Sequence, residues 1–121
     1  ANFNKGQIML KSGTIVDPVS GRPWGIQVIL TGDTYGRSNS IVNDRDPMVE
    51  FYDESRVHEG RNPQFVSRYY IDTLKSDKYG PKHPGPYGLD LQGGVPGWSV
   101  SAEGMHLVMK FVDSVLAGVT A

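Results

Sequence analysis

Residues 25–31 read GIQVILT, and this short apolar stretch decides the fold class. Val28, Ile29 and Leu30 follow one another directly, so both faces of an extended segment here would be apolar. A run of this length and composition is typical of a strand that is buried on both sides. The stretch therefore predicts a central strand of a sheet.

Further strand candidates lie on either side of this run. Residues 7–11 (QIMLK) and 14–16 (TIV) are rich in strand-forming residues, and residues 48–53 (MVEFYD) alternate between the two faces of a strand. Within the last segment, Val49 and Phe51 are expected to face the core, with Glu50 on the opposite side. Residues 87–91 (YGLDL) predict another strand with one apolar face. Prolines, glycines and polar residues mark loops at residues 17–23, 32–47 and 76–86, and the conformation of the second loop is left open.

Residues 101–117 predict the clearest helix of the chain. Ser101 is a suitable N-terminal cap, and Gly118 is a usual helix terminator. Apolar side chains cover more than half of the helix circumference, as a main stripe widened by flanking residues: Met105, Val108, Met109, Val112 and Leu116, with Leu107, Phe111 and Val115. One small sheet does not cover so wide an apolar surface. The pattern therefore predicts a homodimer in which this helix is buried between two copies.

Residues 62–75 (NPQFVSRYYIDTLK) are ambiguous between helix and strand. Their Tyr, Phe, Val and Ile residues favour a strand. Asn62 as a helix cap, Pro63 in the first turn and the helical spacing of the apolar residues favour a helix. Helix is the preferred interpretation, and strand is kept as the alternative.

Together these segments predict one α+β domain over residues 1–121, an antiparallel sheet of four to five strands with two helices packed on one face. The chain has 121 residues, of which 38% are hydrophobic and 10% aromatic, and this is enough for a core of its own. No apolar run approaches the length of a membrane span, and no leader-like segment opens the chain. We therefore expect a cytoplasmic protein without membrane contact.

Composition excludes several classes of function. The 12 basic and 13 acidic residues nearly cancel, which argues against a nucleic-acid partner. The absence of cysteine excludes disulfides, thiolate metal sites and iron–sulfur clusters. His58, His83 and His106 lack metal-ligand spacing, and the glycine-bearing loops lack a nucleotide-binding pattern. We expect neither a metal nor a cofactor.

General acid–base catalysis needs no rare motif, so the sequence leaves it open. The catalytic candidates are Glu50, Asp53 and His58, with either carboxylate as the base and His58 or Arg68 as its partner. A small hydrolase or isomerase with a pocket between sheet and helices is accordingly the alternative function. A simpler interpretation places Glu50 on the exposed face of an amphipathic strand.

Aromatic and arginine residues provide the candidate binding surface: Tyr52, Arg56, Arg68, Tyr69 and Trp98. These residue types dominate binding hot spots because they combine large contact areas with directed hydrogen bonds. Our first hypothesis is therefore a non-enzymatic binding or adaptor protein. Its partner would be another protein or a small ligand.

Three segments carry a family resemblance: residues 49–53 (VEFYD), residues 64–74 (QFVSRYYIDTL), and residues 88–98 (GLDLQGGVPGW) followed by a helix that begins Ser-Ala-Glu. In these three segments the chain resembles small accessory proteins of mobile elements, which are carried by plasmids, phages and integron gene cassettes. The similarity involves about half of the chain and no catalytic motif. It implies a cytoplasmic location and an accessory role, and it assigns no role to a particular residue.

Overall fold

A four-stranded antiparallel sheet forms the body of the protein in the computed structural model, which describes residues 7–31, 46–75, 88–91 and 97–120. Its strands are adjacent in sequence order: β1 (Gln7–Val16), β2 (Pro23–Thr31), β3 (Asp46–Asp53) and β4 (Gln64–Tyr70). A 3-10 turn at Val57–Glu59 lies between β3 and β4. The remaining elements are helix α1 (Ile71–Lys75), a small antiparallel sheet of β5 (Leu89–Asp90) and β6 (Ser99–Val100), and helix α2 (Ala102–Thr120).

The core lies between the four-stranded sheet and the two helices. Alternate residues of β2 and β3 point to this side, among them Trp24, Ile26 and Phe51, which are at most 2% exposed. Buried residues from both helices join the same cluster: Ile71, Leu74, Met105, Val108, Met109 and Val112. The predicted α+β class, an antiparallel sheet with helices on one face, is confirmed.

The central position of β2 is also confirmed, since β1 and β3 flank it on either side. Val28 faces the helices and Ile29 faces the other way, and both are fully buried. Antiparallel pairing with β3 places Val28 opposite Val49 and Gln27 opposite Glu50. The register therefore assigns each residue of β2 to a definite face.

The helix expected over residues 62–75 is wrong for most of that segment. Gln64–Tyr70 forms β4, which pairs with β3 from Met48 opposite Tyr70 to Asp53 opposite Gln64, and only Ile71–Lys75 is helical. An irregularity opposite Phe51 and Tyr52 places an additional residue in β4. Pairing with β3 along the whole strand outweighs the local helix signals at Asn62 and Pro63.

Helix α2 begins where the sequence predicts and ends later. The Ser101 side chain caps it, because its Oγ accepts a hydrogen bond from the Gly104 N–H at 2.9 Å. The expected end at Gly118 is wrong, since the helix continues to Thr120. Beyond the helix's own backbone, no heavy atom lies within 4 Å of the position that a Cβ would take at Gly118, which agrees with the exposure of Gly118 itself.

The apolar stripe of α2 is largely buried within one chain. Met105, Val108, Met109 and Val112 are at most 5% exposed, and the Phe111 ring lies over Gly13 of β1. Leu107, which flanks the main stripe, is 42% exposed. The helix therefore does not need a second copy to cover its main stripe.

Other expectations fall partly or wholly outside the described residues. The predicted loop at 76–86 and His83 lie outside them, as does most of the predicted loop at 32–47. Of the strand expected over residues 87–91, the structure assigns β5 to Leu89–Asp90. None of the described helices combines the length and apolar character that a bilayer crossing requires.

Candidate functional site

The face of the four-stranded sheet that points away from α2 carries the polar side chains, and we call it the open face. Two rows of paired residues cross it. One row runs through Ser12, Gln27, Glu50 and Arg68, and the next runs through Thr14, Gly25, Tyr52 and Phe65. Residues within a row are neighbours because directly paired side chains in an antiparallel sheet point to the same side.

Glu50 is at the centre of the open face and is only 3% exposed. Its carboxylate accepts hydrogen bonds from Gln27 Nε2 at 3.2 Å and from the Tyr52 hydroxyl at 2.9 Å. The Arg68 guanidinium completes the environment, with Nη2 at 3.4 Å from Oε2. The interpretation of Glu50 as an exposed residue of an amphipathic strand is therefore wrong, because donors on β2, β3 and β4 satisfy it in a buried position.

Tyr52 connects this carboxylate with an aromatic pair. Its ring meets the Phe65 ring edge-on, with 5.6 Å between the centroids. Burial raises the pKa of the Tyr52 phenol, and the hydrogen bond to Glu50 and the negative charge of Glu50 raise it further, while the positive charge of Arg68 opposes them. The phenol is thus protonated at neutral pH and acts as a donor to Glu50.

A groove of about 360 Å³ lies on the open face beside Tyr52. Residues of β1, β2, β3 and the chain between β3 and β4 line it: Ser12, Gly13, Thr14, Gly25, Ile26, Gln27, Tyr52, Glu54 and Pro63. Its volume is in the range of sites for small molecules. Gly25 contributes no side chain of its own, so its backbone forms part of the lining.

The Glu54 side chain reaches across β2 at Gly25. Its Oε1 accepts a hydrogen bond from the Thr14 hydroxyl on β1 at 2.8 Å. A Cβ at residue 25 would lie 2.6 Å from Glu54 Oε2, so the carboxylate occupies this position because Gly25 has no side chain. The backbone of Glu54 is held as well, since its N–H donates to the Pro23 carbonyl at 3.2 Å.

Asp53, the other carboxylate predicted in this strand, belongs to a different environment. It alternates with Glu50 along β3 and accepts from Arg22 Nη1 and Trp98 Nε1, each at 3.0 Å from Oδ2. Burial favours a raised pKa for Asp53, but hydrogen bonds from Ser55 and Trp98 and the charge of Arg22 outweigh it and hold the pKa below its usual value. Asp53 is thus an ionised structural anchor.

The remaining predicted site residues lie apart from the groove lining. Arg56 and His58 are exposed beside and within the 3-10 turn, and both contact Glu59. Tyr69 is on the core side of β4, where its ring meets the edge of Phe51 at 6.0 Å and its hydroxyl donates to the Leu91 carbonyl at 3.3 Å. Of the five candidate binding residues, Tyr52 and Arg68 share the open face with Glu50.

Sequence reasoning missed three residues of the site: Thr14, Gly25 and Gln27. Residues 25–31 were interpreted as a strand with apolar residues on both faces, which gave no indication that Gln27 would lie opposite Glu50. Gly25 was interpreted as the start of a strand, where a glycine attracts no attention. The signal that connects these residues is the strand register, which is a property of the folded sheet.

Among the described residues, no group of three or more histidine, aspartate or glutamate side chains is arranged to hold a metal ion. The groove offers hydroxyl, amide and carboxylate groups beside an aromatic ring.

No protein-family model, curated protein or solved structure matches the chain.

Proposed function

We propose that the protein is a non-enzymatic binding domain and that the groove on the open face receives a small molecule. The observation that carries the proposal is the 360 Å³ groove, which is lined by polar groups from separate segments and in which the Glu54 carboxylate lies over the backbone of Gly25. Ligand sites in proteins commonly combine such a concavity with a few convergent polar groups.

The lining residues are held in place before a ligand arrives. Gln27 and Tyr52 both donate to the buried Glu50, and Thr14 donates to Glu54. Side chains that are already ordered lose little conformational entropy on binding. This organisation supports recognition of a ligand by the groove.

The alternative, a small hydrolase or isomerase, has less support. Glu50 and Asp53 alternate along β3, so the two proposed bases lie on opposite sides of the sheet. His58 is in the exposed 3-10 turn and pairs with Glu59. Glu50 does lie beside its predicted partner Arg68, at 3.4 Å, but it is buried and also accepts hydrogen bonds from Gln27 and Tyr52. A structural role accounts for this pair, and a binding role requires no reactive base.

We further propose that two copies of the chain associate along β1. This strand is at the end of the described sheet, and no described strand pairs with its outer edge. Ile8 and Met9, in its first half, are 43% and 54% exposed. Light scattering at tens of micromolar should give twice the 13.3 kDa chain mass, and Met9→Lys should lower it towards one chain. A strictly monomeric mass for the unaltered protein would contradict the homodimer.

A fragment screen by amide NMR tests the binding function. Ligands that enter the groove should shift the amides of residues 12–14 and 25–27. Gly25→Ala should remove these shifts, because the added methyl group fills the groove floor and displaces Glu54. Since the displaced atoms are the end of a flexible side chain, this variant should fold with a free energy of unfolding within about 1 kcal/mol of the unaltered protein.

Gly118→Ala is the matched control, because the same substitution on α2 meets open space. It should bind each fragment as the unaltered protein does. The proposal fails if no fragment shifts the groove amides, or if Gly25→Ala retains the shifts.

A further inference from the structure

Among the described residues that line the groove, Glu54 is the only charged one. No lysine or arginine of the described residues forms an ion pair with it. Its Oε1 accepts from Thr14, and a carboxylate has further acceptor positions on both oxygens. The groove thus contains a fixed negative charge that is available to a ligand.

The second carboxylate beside the groove, that of Glu50, does not add to the negative charge that Glu54 presents. Glu50 is ion-paired with Arg68, whose guanidinium lies on the far side of Glu50 from Gln27 in the paired row. The positive charge of Arg68 is therefore directed at Glu50 rather than at the groove. A negatively charged ligand would meet Glu54 without a compensating cation from the part of the lining that the structure describes.

Tyr52 contributes a ring rather than a hydroxyl. Its hydroxyl donates to Glu50, so the part of Tyr52 that remains for a ligand is the aromatic surface. Aromatic rings attract cations through their negative faces, and the attraction increases when the cation is removed from water. A carboxylate and an aromatic ring in one groove form a suitable environment for a positively charged nitrogen.

We propose that the ligand of the groove carries a cationic nitrogen, an ammonium or a methylated ammonium, with Glu54 as its counter-ion and Tyr52 as its aromatic wall. This inference rests on the proposed binding function and specifies the chemical class of the ligand. The Glu54 carboxylate lies over Gly25, and Gly25 pairs with Tyr52, so the two side chains border the same part of the groove. An uncharged ligand of the same shape would use the ring but not the carboxylate.

Three probes of nearly the same shape and different charge test the inference: choline, 3,3-dimethylbutan-1-ol and 3,3-dimethylbutanoate. Titrations followed at the amides of Gly25 and Gln27 should show choline binding roughly fivefold more tightly than the neutral alcohol. The carboxylate probe should be the weakest of the three. Glu54→Gln should remove the advantage of choline, whereas Glu59→Gln, an equal change of charge outside the groove, should leave it intact.

The outcomes separate this inference from the binding function itself. If the alcohol or the carboxylate binds as well as choline, the groove is a binding site without preference for a cation, and the inference alone fails. The same holds if Glu54→Gln retains the preference for choline. If these probes and the fragment screen all leave the groove amides unshifted, the binding function fails as well.

Discussion

At the scale of single residues, the Glu50 carboxylate connects side chains from three strands on the open face. Gln27 on β2, Tyr52 on β3 and Arg68 on β4 all direct polar hydrogens towards it. Each of these groups is satisfied by the same acceptor, so the loss of that acceptor affects all three. A buried acceptor that three groups share contributes more to the free energy of unfolding than an exposed ion pair does.

Glu50→Ala should therefore lower the free energy of unfolding by about 1–3 kcal/mol, because it removes the acceptor that the half-buried Gln27 and Tyr52 share. Chemical denaturation measures the change. Glu59→Ala is the control, since Glu59 is exposed and paired with the exposed Arg56, and its effect should stay within about 0.5 kcal/mol. Equal effects of the two substitutions would show that the Glu50 cluster contributes no more than a surface pair.

At the scale of secondary structure, β4 shows that strand pairing can outweigh local sequence signals for a helix. Its aromatic and β-branched residues favoured a strand, while Asn62 and Pro63 favoured a helix, and both signals were correctly identified in the sequence. What decided between them was the edge of β3, which pairs with β4 through Glu50 opposite Arg68 and the neighbouring rungs. Residues 25–31 and 48–53 were predicted correctly because their apolar run and their alternation favour a strand locally, and pairing within the sheet favours the same structure.

The start of α2 depends on close packing around Gly104. A Cβ at this position would lie 2.7 Å from Val100 Cγ1 and 3.1 Å from the Asp17 carboxylate. Gly104→Ala should therefore lower the free energy of unfolding by about 1–3 kcal/mol, although alanine is the better helix former. Thermal and chemical unfolding measure this effect.

Gly118→Ala, in the same helix, is the matched comparison because it meets open space. It should be neutral or stabilising by up to about 1 kcal/mol. If both substitutions stabilise the protein, the packing around Gly104 is looser than the structure indicates.

At the scale of the whole molecule, two carboxylates join distant parts of the chain at one end of the sheet. Asp17, after β1, accepts from the Ser101 N–H at 2.7 Å and from the Ser101 hydroxyl at 2.6 Å. Asp53, at the end of β3, accepts from Trp98. Both contacts fasten the segment before α2 to the sheet, and this long-range role was not predictable from the local sequence around either aspartate.

The stability of the protein should fall in acid because of these carboxylates. Burial favours a raised pKa for Asp17, but hydrogen bonds from Ser101, Val19 and Ser20 outweigh it and hold the pKa below the usual value of 3.8. A pKa that is lower in the folded state stabilises the fold above the unfolded value and loses this contribution as the pH falls through the folded one. Unfolding measured from pH 7 downwards should show a loss of stability that begins near pH 4.

Asp17→Asn identifies the source of this loss. At neutral pH it should lower the free energy of unfolding by about 1–3 kcal/mol, because an amide accepts the Ser101 hydrogen bonds less well than a carboxylate. The difference from the unaltered protein should shrink as the pH falls below 3.8, because Asp17 of the unfolded chain takes up a proton there and Asp17 of the folded protein does so only at lower pH. A difference that is independent of pH would contradict the assignment to Asp17.

Trp24 lies at the start of β2 with its side chain wholly out of contact with solvent, and its indole N–H has no acceptor within the described part of the chain. Its fluorescence should therefore be emitted at short wavelength and resist quenching by iodide. The half-buried Trp98 should be more accessible to the quencher, because its side chain is partly exposed to solvent. The protein thus contains its own optical reporter of core integrity on the side of the sheet opposite the groove, and an unchanged short-wavelength signal distinguishes a variant with an altered groove from one that has unfolded.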